Sequence, residues 1–283
     1  MLIPLEEKDF YKYIDFAYEL DMDPVHASYN IYYDGIKTKA DFIAAARKAY
    51  TQQNEQILLY QENGQTEGWI HYNFPEDHYL EFRTCCIRRN TAQALDELSA
   101  HLTARYSGCD WTMKFPATNT EAVAWLERAG FRQLQDANHY QILFANYTPT
   151  PAESGIERIR EDTFEKFQRV HRTIEGDMYW NCRRVWENLA DWDLFVAEED
   201  GVAGEAMATA CNGFYEIFAL VCEDGEFHEN LFRRLLRHAL NEGKRRGASN
   251  LTFFVDPGSE EDRILPELGF QLMSRFFAYQ KRI

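Results

Sequence analysis

Glu216-Ile217-Phe218-Ala219-Leu220-Val221-Cys222 is the stretch on which the reading of the fold turns. Strand alternation puts Glu216, Phe218, Leu220 and Cys222 on one face, and Tyr215, Ile217, Ala219 and Val221 on the other. Both faces are apolar, so a central strand covered on both sides is expected. Upstream, Leu194-Phe195-Val196-Ala197 and residues 203–209 read as strands joined by the hairpin turn Glu199-Asp200-Gly201. Downstream come a helix near 228–246, a strand at 251–255, a short helix ending in Gly269-Phe270, and the strand-like Phe276-Phe277-Ala278-Tyr279.

The same order is written earlier in the chain. Gln56-Ile57-Leu58-Leu59-Tyr60, the turn Glu62-Asn63-Gly64-Gln65 and Gly68-Trp69-Ile70-His71-Tyr72 lead to a strand at 79–87 and a helix near 92–106. A strand at 111–115, a short helix ending in Gly130-Phe131 and the strand-like Gln141-Ile142-Leu143-Phe144 follow. Gly64 answers Gly201, Glu81 answers Glu216 and Gly130 answers Gly269 at nearly constant spacing. A repeat that long is a duplicated domain and not a solenoid unit. Residues 146–155, with Pro149, Pro151 and Gly155 and no apolar periodicity, read as a linker. The expected layout is a domain over 1–147, a linker over 148–155 and a domain over 156–283. Each domain is expected to be α/β (α+β), a mixed and mostly antiparallel sheet flanked by helices.

The chain of 283 residues, 45% apolar and 27% charged, has the composition of a folded protein with room for two domains. Its net charge of −16 is shared equally by the halves and opposes binding to phosphate backbones or anionic lipid. A cationic small substrate is favoured instead. The six cysteines form no C-x-x-C pair and no zinc-like spacing, so free thiols and no metal are expected. The first ten residues lack a signal-peptide layout, and no apolar run approaches the roughly 20 residues of a membrane helix. A soluble cytoplasmic protein is the expectation. No catalytic triad motif, phosphate-binding P-loop, dinucleotide fingerprint or H-E-x-x-H is present.

The second half, from Glu216–Cys222 through Leu235-Leu236 and Leu251-Thr252-Phe253-Phe254-Val255 to Leu268-Gly269-Phe270, resembles the GNAT superfamily of acyl-CoA-dependent N-acyltransferases. The first half resembles it through Asn119-Thr120-Glu121-Ala122-Val123-Ala124-Trp125-Leu126-Glu127-Arg128-Ala129-Gly130-Phe131. That run matches the signature N-x-x-A-x-x-L-Y-x-K-x-G-F at Asn, Ala, Gly and Phe. The resemblance implies a tandem pair of such domains, acetyl-CoA as co-substrate and a small, cationic amine as acceptor. In that family the strand before the long helix parts from its neighbour and pairs with the amide-rich pantetheine arm. The following loop and helix N-terminus aim backbone N–H groups at the pyrophosphate.

On this resemblance Val221 and Cys222, with Asn230, Leu231 and Phe232, are the cofactor contacts of the second half; Arg88, Arg89, Asn90, Thr91 and Asn119 are those of the first. Glu216 stands where some members carry a general base, and partial desolvation at a strand edge would raise its pKa toward that use. A glutamate reaching into water fits the same position. Its counterpart Glu81 is the candidate base of the first half, but Arg83 lies two residues on, and an ion pair between them is the expectation there. Tyr32 and Tyr33, and Tyr179 and Trp180, lie in aromatic segments that the resemblance places at the acceptor site, beside Asp34, Glu175 and Asp177, while core packing is the commoner role for such segments. Asn119 fits equally as a helix cap, and Arg88 and Arg89 as solvated charges.

The chain departs from the family in two places. Asn230 and Phe232 stand at the glycine positions of the pyrophosphate loop, which also carries Glu223, Asp224, Glu226 and Glu229. A carboxylate about 6 Å from a phosphate costs on the order of 1–3 kcal/mol. Leu126 and Leu265 replace the tyrosine that protonates the leaving thiolate. The reading from sequence is therefore an N-acetyltransferase, with a catalytically degenerate ligand-binding or interaction protein as the alternative. A homodimer is compatible with either. A tandem aminoacyl-transferring enzyme of the Fem type shares the double domain but calls for a longer chain and a tRNA-binding charge that is absent here.

Overall fold

The computed structural model describes residues 1–29, 38–74, 78–151, 153–176, 178–211 and 213–283. The first half runs β1 (Leu2–Pro4), α1 (Phe10–Asp21), α2 (Lys39–Ala46), β2 (Glu55–Glu62), β3 (Gln65–Asn73) and β4 (Tyr79–Ile87). It continues through α3 (Thr91–Thr103), β5 (Asp110–Pro116), α4 (Thr120–Arg128) and β6 (Arg132–Leu143). The second half repeats the order as β7 (Ile156–Arg158), α5 (Phe164–His171), α6 (Cys182–Glu187), β8 (Asp193–Glu199), β9 (Val202–Cys211) and β10 (Phe214–Cys222). It ends with α7 (Glu229–Arg245), β11 (Asn250–Val255), α8 (Glu260–Ile264) and β12 (Gln271–Arg282).

Local chemistry explains most of these elements. Asn63-Gly64 and Asp200-Gly201 both hold two successive positive φ angles, the mirror-image turn that suits the twist of a two-residue hairpin. On α7, Leu231, Phe232, Leu235, Leu236, Ala239 and Leu240 recur at helical spacing and are all buried. Fully burying each of the larger ones contributes about 1.5–3 kcal/mol. The opposite face carries arginines that meet acids: Arg233 with Glu229 and Glu267, Arg234 with Glu199, and Arg237 with Glu153.

The chain divides into two compact units, and the division differs from the expected one. Unit 1 is residues 1–137 with 274–283; unit 2 is residues 138–273. The cause is an exchange of last strands. From Phe276 to Arg282, β12 pairs antiparallel with β5, and from Asn138 to Leu143, β6 pairs antiparallel with β11. Unit 1 therefore has the strand order β1-β2-β3-β4-β5-β12, and unit 2 has β6-β11-β10-β9-β8-β7. Residues 146–155 lie within unit 2, where Tyr147 and Thr150 bond Asn241 of α7.

Each sheet is covered on both faces. In unit 1 one core forms under α3 and α4 and another under α1 and α2. In unit 2 the corresponding cores lie under α7 and under α5. Cys85, Cys86, Cys109, Cys182 and Cys222 are free thiols, all buried. Among the described residues no helix is long and apolar enough to cross a membrane.

Candidate functional site

In unit 2, β10 and β11 run parallel and pair only at Tyr215–Leu251, Glu216–Thr252 and Ile217–Phe253. Directly after this, the register of β10 against β9 slips between Ile217 and Ala219, so Phe218 is a bulged extra residue. The bulge corrects the expected alternation. Tyr215, Ile217, Leu220 and Cys222 all enter the α7-side core, while Ala219, with Phe218 beside it, joins the α5-side core. Glu216 thus shares its face with Phe218 and not with Leu220 or Cys222, because one inserted residue flips every later side chain. Beyond Ile217, among the described residues, no chain segment other than β9 pairs with β10.

The loop after β10 enters α7 at His228, which supplies no side-chain cap. The amide of Phe232 is the first returned into the helix, to the His228 carbonyl at 2.9 Å. Leu231 and Phe232 bury their side chains in the core, so only their backbone faces the loop; Asn230 is exposed. The acidic groups expected to repel phosphate are largely engaged. Glu223 lies 2.9 Å from Arg169 and accepts from the Ala203 amide, Asp224 meets His228 at 2.8 Å, and Glu229 meets Arg233 and Arg263, each at 2.9 Å. Burial pushes the Cys222 thiol up to about 11, so it is neutral.

The α5 face of unit 2 carries a polar group that the sequence reading did not single out. His171 is fully buried, its Nδ1 2.7 Å from Glu205 on β9 and its Nε2 2.7 Å from the Trp180 carbonyl. Trp180 stands edge-on to Trp192, and Trp192 edge-on to Phe218, each at 5.0 Å between ring centres. An aromatic line thus runs from the α5–α6 connection to the bulge beside Glu216. Tyr179, about half exposed, stacks under the Arg184 guanidinium at 4.1 Å. On the same sheet face the exchanged strand brings His139, buried, stacked on Phe254 and 3.4 Å from the Thr252 hydroxyl. Burial lowers the His139 pKa to about 4, so its ring is neutral. Thr252 is the register partner of Glu216. Nothing in the local sequence marks His139, since only the strand exchange takes it there.

In unit 1, β4 and β5 likewise pair over three residues only, Tyr79–Asp110 to Glu81–Thr112, with Arg83 the bulged residue. Here the gap is filled by the chain itself. The Ser28 amide donates to the Cys85 carbonyl at 2.7 Å, and the Cys85 amide donates to the Ser28 hydroxyl at 2.8 Å. The Ile87 amide donates to the His26 carbonyl at 3.0 Å, and the Tyr29 amide to the Lys114 carbonyl of β5 at 2.6 Å. Ala27 forms an antiparallel bridge with Cys86, and the Tyr29 ring stacks on Phe276 at 4.5 Å.

The first-half candidates fall around this plug. Asn119 caps α4 by accepting from the Ala122 amide, and its amide group donates to the Ala27 carbonyl at 3.2 Å. Asn90 adopts a left-handed conformation and turns its side chain to Glu62, so it does not cap α3. Arg88 lies over the Phe16 ring at 4.5 Å, Arg89 is exposed, and Thr91 is buried in the first turn of α3. The expected Glu81–Arg83 pair does not form: Arg83 lies 3.9 Å from Glu55, which holds the buried His71 at 2.8 Å. Tyr32, Tyr33, Asp34 and Asp177 lie outside the described residues.

A surface cleft of about 580 Å³ opens between α5 and α6, lined by Phe164, Trp186, Glu165, Arg172 and Glu175 among others; of the residues expected around the acceptor it includes Glu175 but neither Tyr179 nor Trp180. Among the described residues no cluster of three or more His, Cys, Asp and Glu could hold a metal ion.

No protein-family model matches the chain, and no curated protein matches it by sequence. Solved structures do. A GCN5-related N-acetyltransferase from Sphaerobacter thermophilus is similar over 99% of this chain and 95% of its own, at 14% identity and a TM-score of 0.67. A tandem GNAT protein from the clavulanic acid biosynthesis pathway is similar over 99% and 98%, at 12% identity and a TM-score of 0.59. An acetyltransferase-like structure from Pyrococcus horikoshii is similar over 100% and 89%, at 11% identity and a TM-score of 0.54. The chain has the tandem GNAT fold.

Proposed function

We propose that the protein is an N-acetyltransferase that works through unit 2, moving an acetyl group from acetyl-CoA to the amine of a small, cationic acceptor. The observation that carries this reading is the parting of β10 from β11 one residue past Glu216: among the described residues no strand but β9 pairs with the later part of β10, although the Cys222 carbonyl accepts from the Gly225 amide in the turn that follows. An unpaired strand edge is a row of donors and acceptors, and it matches the amide-rich arm of the thioester. The residues that would hold acetyl-CoA are 219–222 along that edge and the backbone of Glu229, Asn230 and Leu231 at the start of α7. Those first-turn amides point their free N–H groups out of the helix. Bound there, the thioester supplies an activated acetyl group.

The chain's own residues supply the rest. Glu216, half-buried at the foot of the gap, takes the proton from the ammonium form of the acceptor, since only the free amine is nucleophilic. Trp180, Trp192 and Phe218 form an aromatic wall beside it that suits a cation. Leu265, fully buried, stands where an acid for the leaving thiolate would be expected, so water fills that part. With Glu216→Gln the turnover should fall by about 10²–10⁴, the usual worth of a positioned base. The acid limb of the pH profile should vanish with it. Release of free CoA thiol across an amine panel reads both, and an unchanged pH profile removes Glu216 from the mechanism.

A ligand-binding protein without catalysis is the second reading, favoured by Asn230 and Phe232 at the glycine positions of the second phosphate loop and by the lack of any glycine in the first, residues 88–92. Calorimetric titration with acetyl-CoA and no turnover with any amine would support it.

A further inference from the structure

We infer that unit 1 is closed to acyl-CoA by its own chain: residues 26–29 form an internal strand in the gap between β4 and β5. The residues there do not fit the cofactor, because the groups it would use already have partners. Past the bulge at Arg83, the Cys85 carbonyl, Cys85 amide and Ile87 amide are bonded to Ser28 and His26, and the Lys114 carbonyl of β5 is bonded to Tyr29. Asn119, expected to hold the arm, holds the Ala27 carbonyl, and Thr118 holds the Pro24 carbonyl at 2.9 Å. Ala27, Ser28 and Tyr29 are 1%, 6% and 6% exposed, as in a packed interior and unlike a surface loop. A ligand entering the gap would have to break these bonds and strip a buried segment from its core.

Unit 2 lacks the means to do the same. Its connection between α5 and α6 is shorter, from 172 to 181, than the 22–38 connection of unit 1. His171 ties it down through the Trp180 carbonyl. One chain therefore takes up one acyl-CoA. That count rests on the proposed function of unit 2, whereas the closure of unit 1 stands on its own contacts.

Amide hydrogen exchange on the full chain, with and without saturating CoA, tests the two separately. Amides of residues 26–29, Cys85 and Ile87 should exchange slowly without ligand and remain unchanged when CoA is added, while residues 218–231 become slower. Slow exchange in unit 1 with no change in unit 2 would leave the plug intact and sink the acetyl-CoA reading. Fast exchange of 26–29 without ligand, or its acceleration by CoA, would overturn the plug. In Ser28→Ala the Cys85 amide loses its buried acceptor and should exchange roughly tenfold faster. An unchanged Cys85 rate in that variant would equally overturn the assignment.

Discussion

His171 is fully buried between two acceptors, so its chemistry is set by them. With Glu205 ionised, both ring nitrogens must donate, one to the carboxylate and one to the Trp180 carbonyl. Burial opposes the charged ring, but the Glu205 bond and charge outweigh it and raise the pKa. Glu205, its second oxygen lacking a hydrogen-bond partner, is pushed up as well, to about 7, by burial. Both shifts favour the proton-bearing forms, so at neutral pH the folded pair binds more protons than the unfolded chain does. A raised histidine contributes stability that is full below its unfolded value near 6.5 and is lost as pH rises through the folded value. The midpoint of urea unfolding should thus fall as pH is raised above 6.5, and His171→Gln should flatten that slope. His171→Phe, which strands a buried carboxylate, should cost about 3–5 kcal/mol. Adding Glu205→Leu should recover much of it, as read by the same unfolding curves.

The elements show where sequence patterns were sufficient. The Asn-Gly and Asp-Gly turns, the stripe of α7 and the cap of α4 are local features, decided by residues a few positions apart, and each stands where its residues put it. Asn119 is the instructive case, since a family signature and a cap ask for the same residue type. The structure uses it as a cap and as a clasp on Ala27. Asn119→Ala should cost about 2 kcal/mol, for the lost cap and the orphaned carbonyl. Turnover per folded molecule should not change; a tenfold fall at unaltered stability would return Asn119 to an acyl-CoA site. The β10 face was misread for a physical reason. Alternation assumes an unbroken pleat, and the bulges at Phe218 and Arg83 have no composition that announces them.

At the scale of the whole molecule, each unit borrows the other half's last strand. A fragment of residues 1–147 would keep β5 without β12, leaving an open, largely buried edge strand on which Phe115 and Met113 lose their cross-strand partners Phe277 and Tyr279. Expressed alone, it should aggregate or lack cooperative unfolding, whereas the intact chain should show neither defect; a monomeric, cooperatively folding fragment would contradict this. The sequence alone determined the duplication, the order of strands and helices, the hairpins and the acidic surface, because these rest on short-range preference and on periodicity. Tertiary structure alone decided which last strand completes which sheet, that His139 faces Thr252, and that residues 26–29 lie between β4 and β5. Backbone pairing is the reason: its N–H and C=O groups are the same at every residue but proline, so partners far apart in the chain leave no trace in side-chain identity.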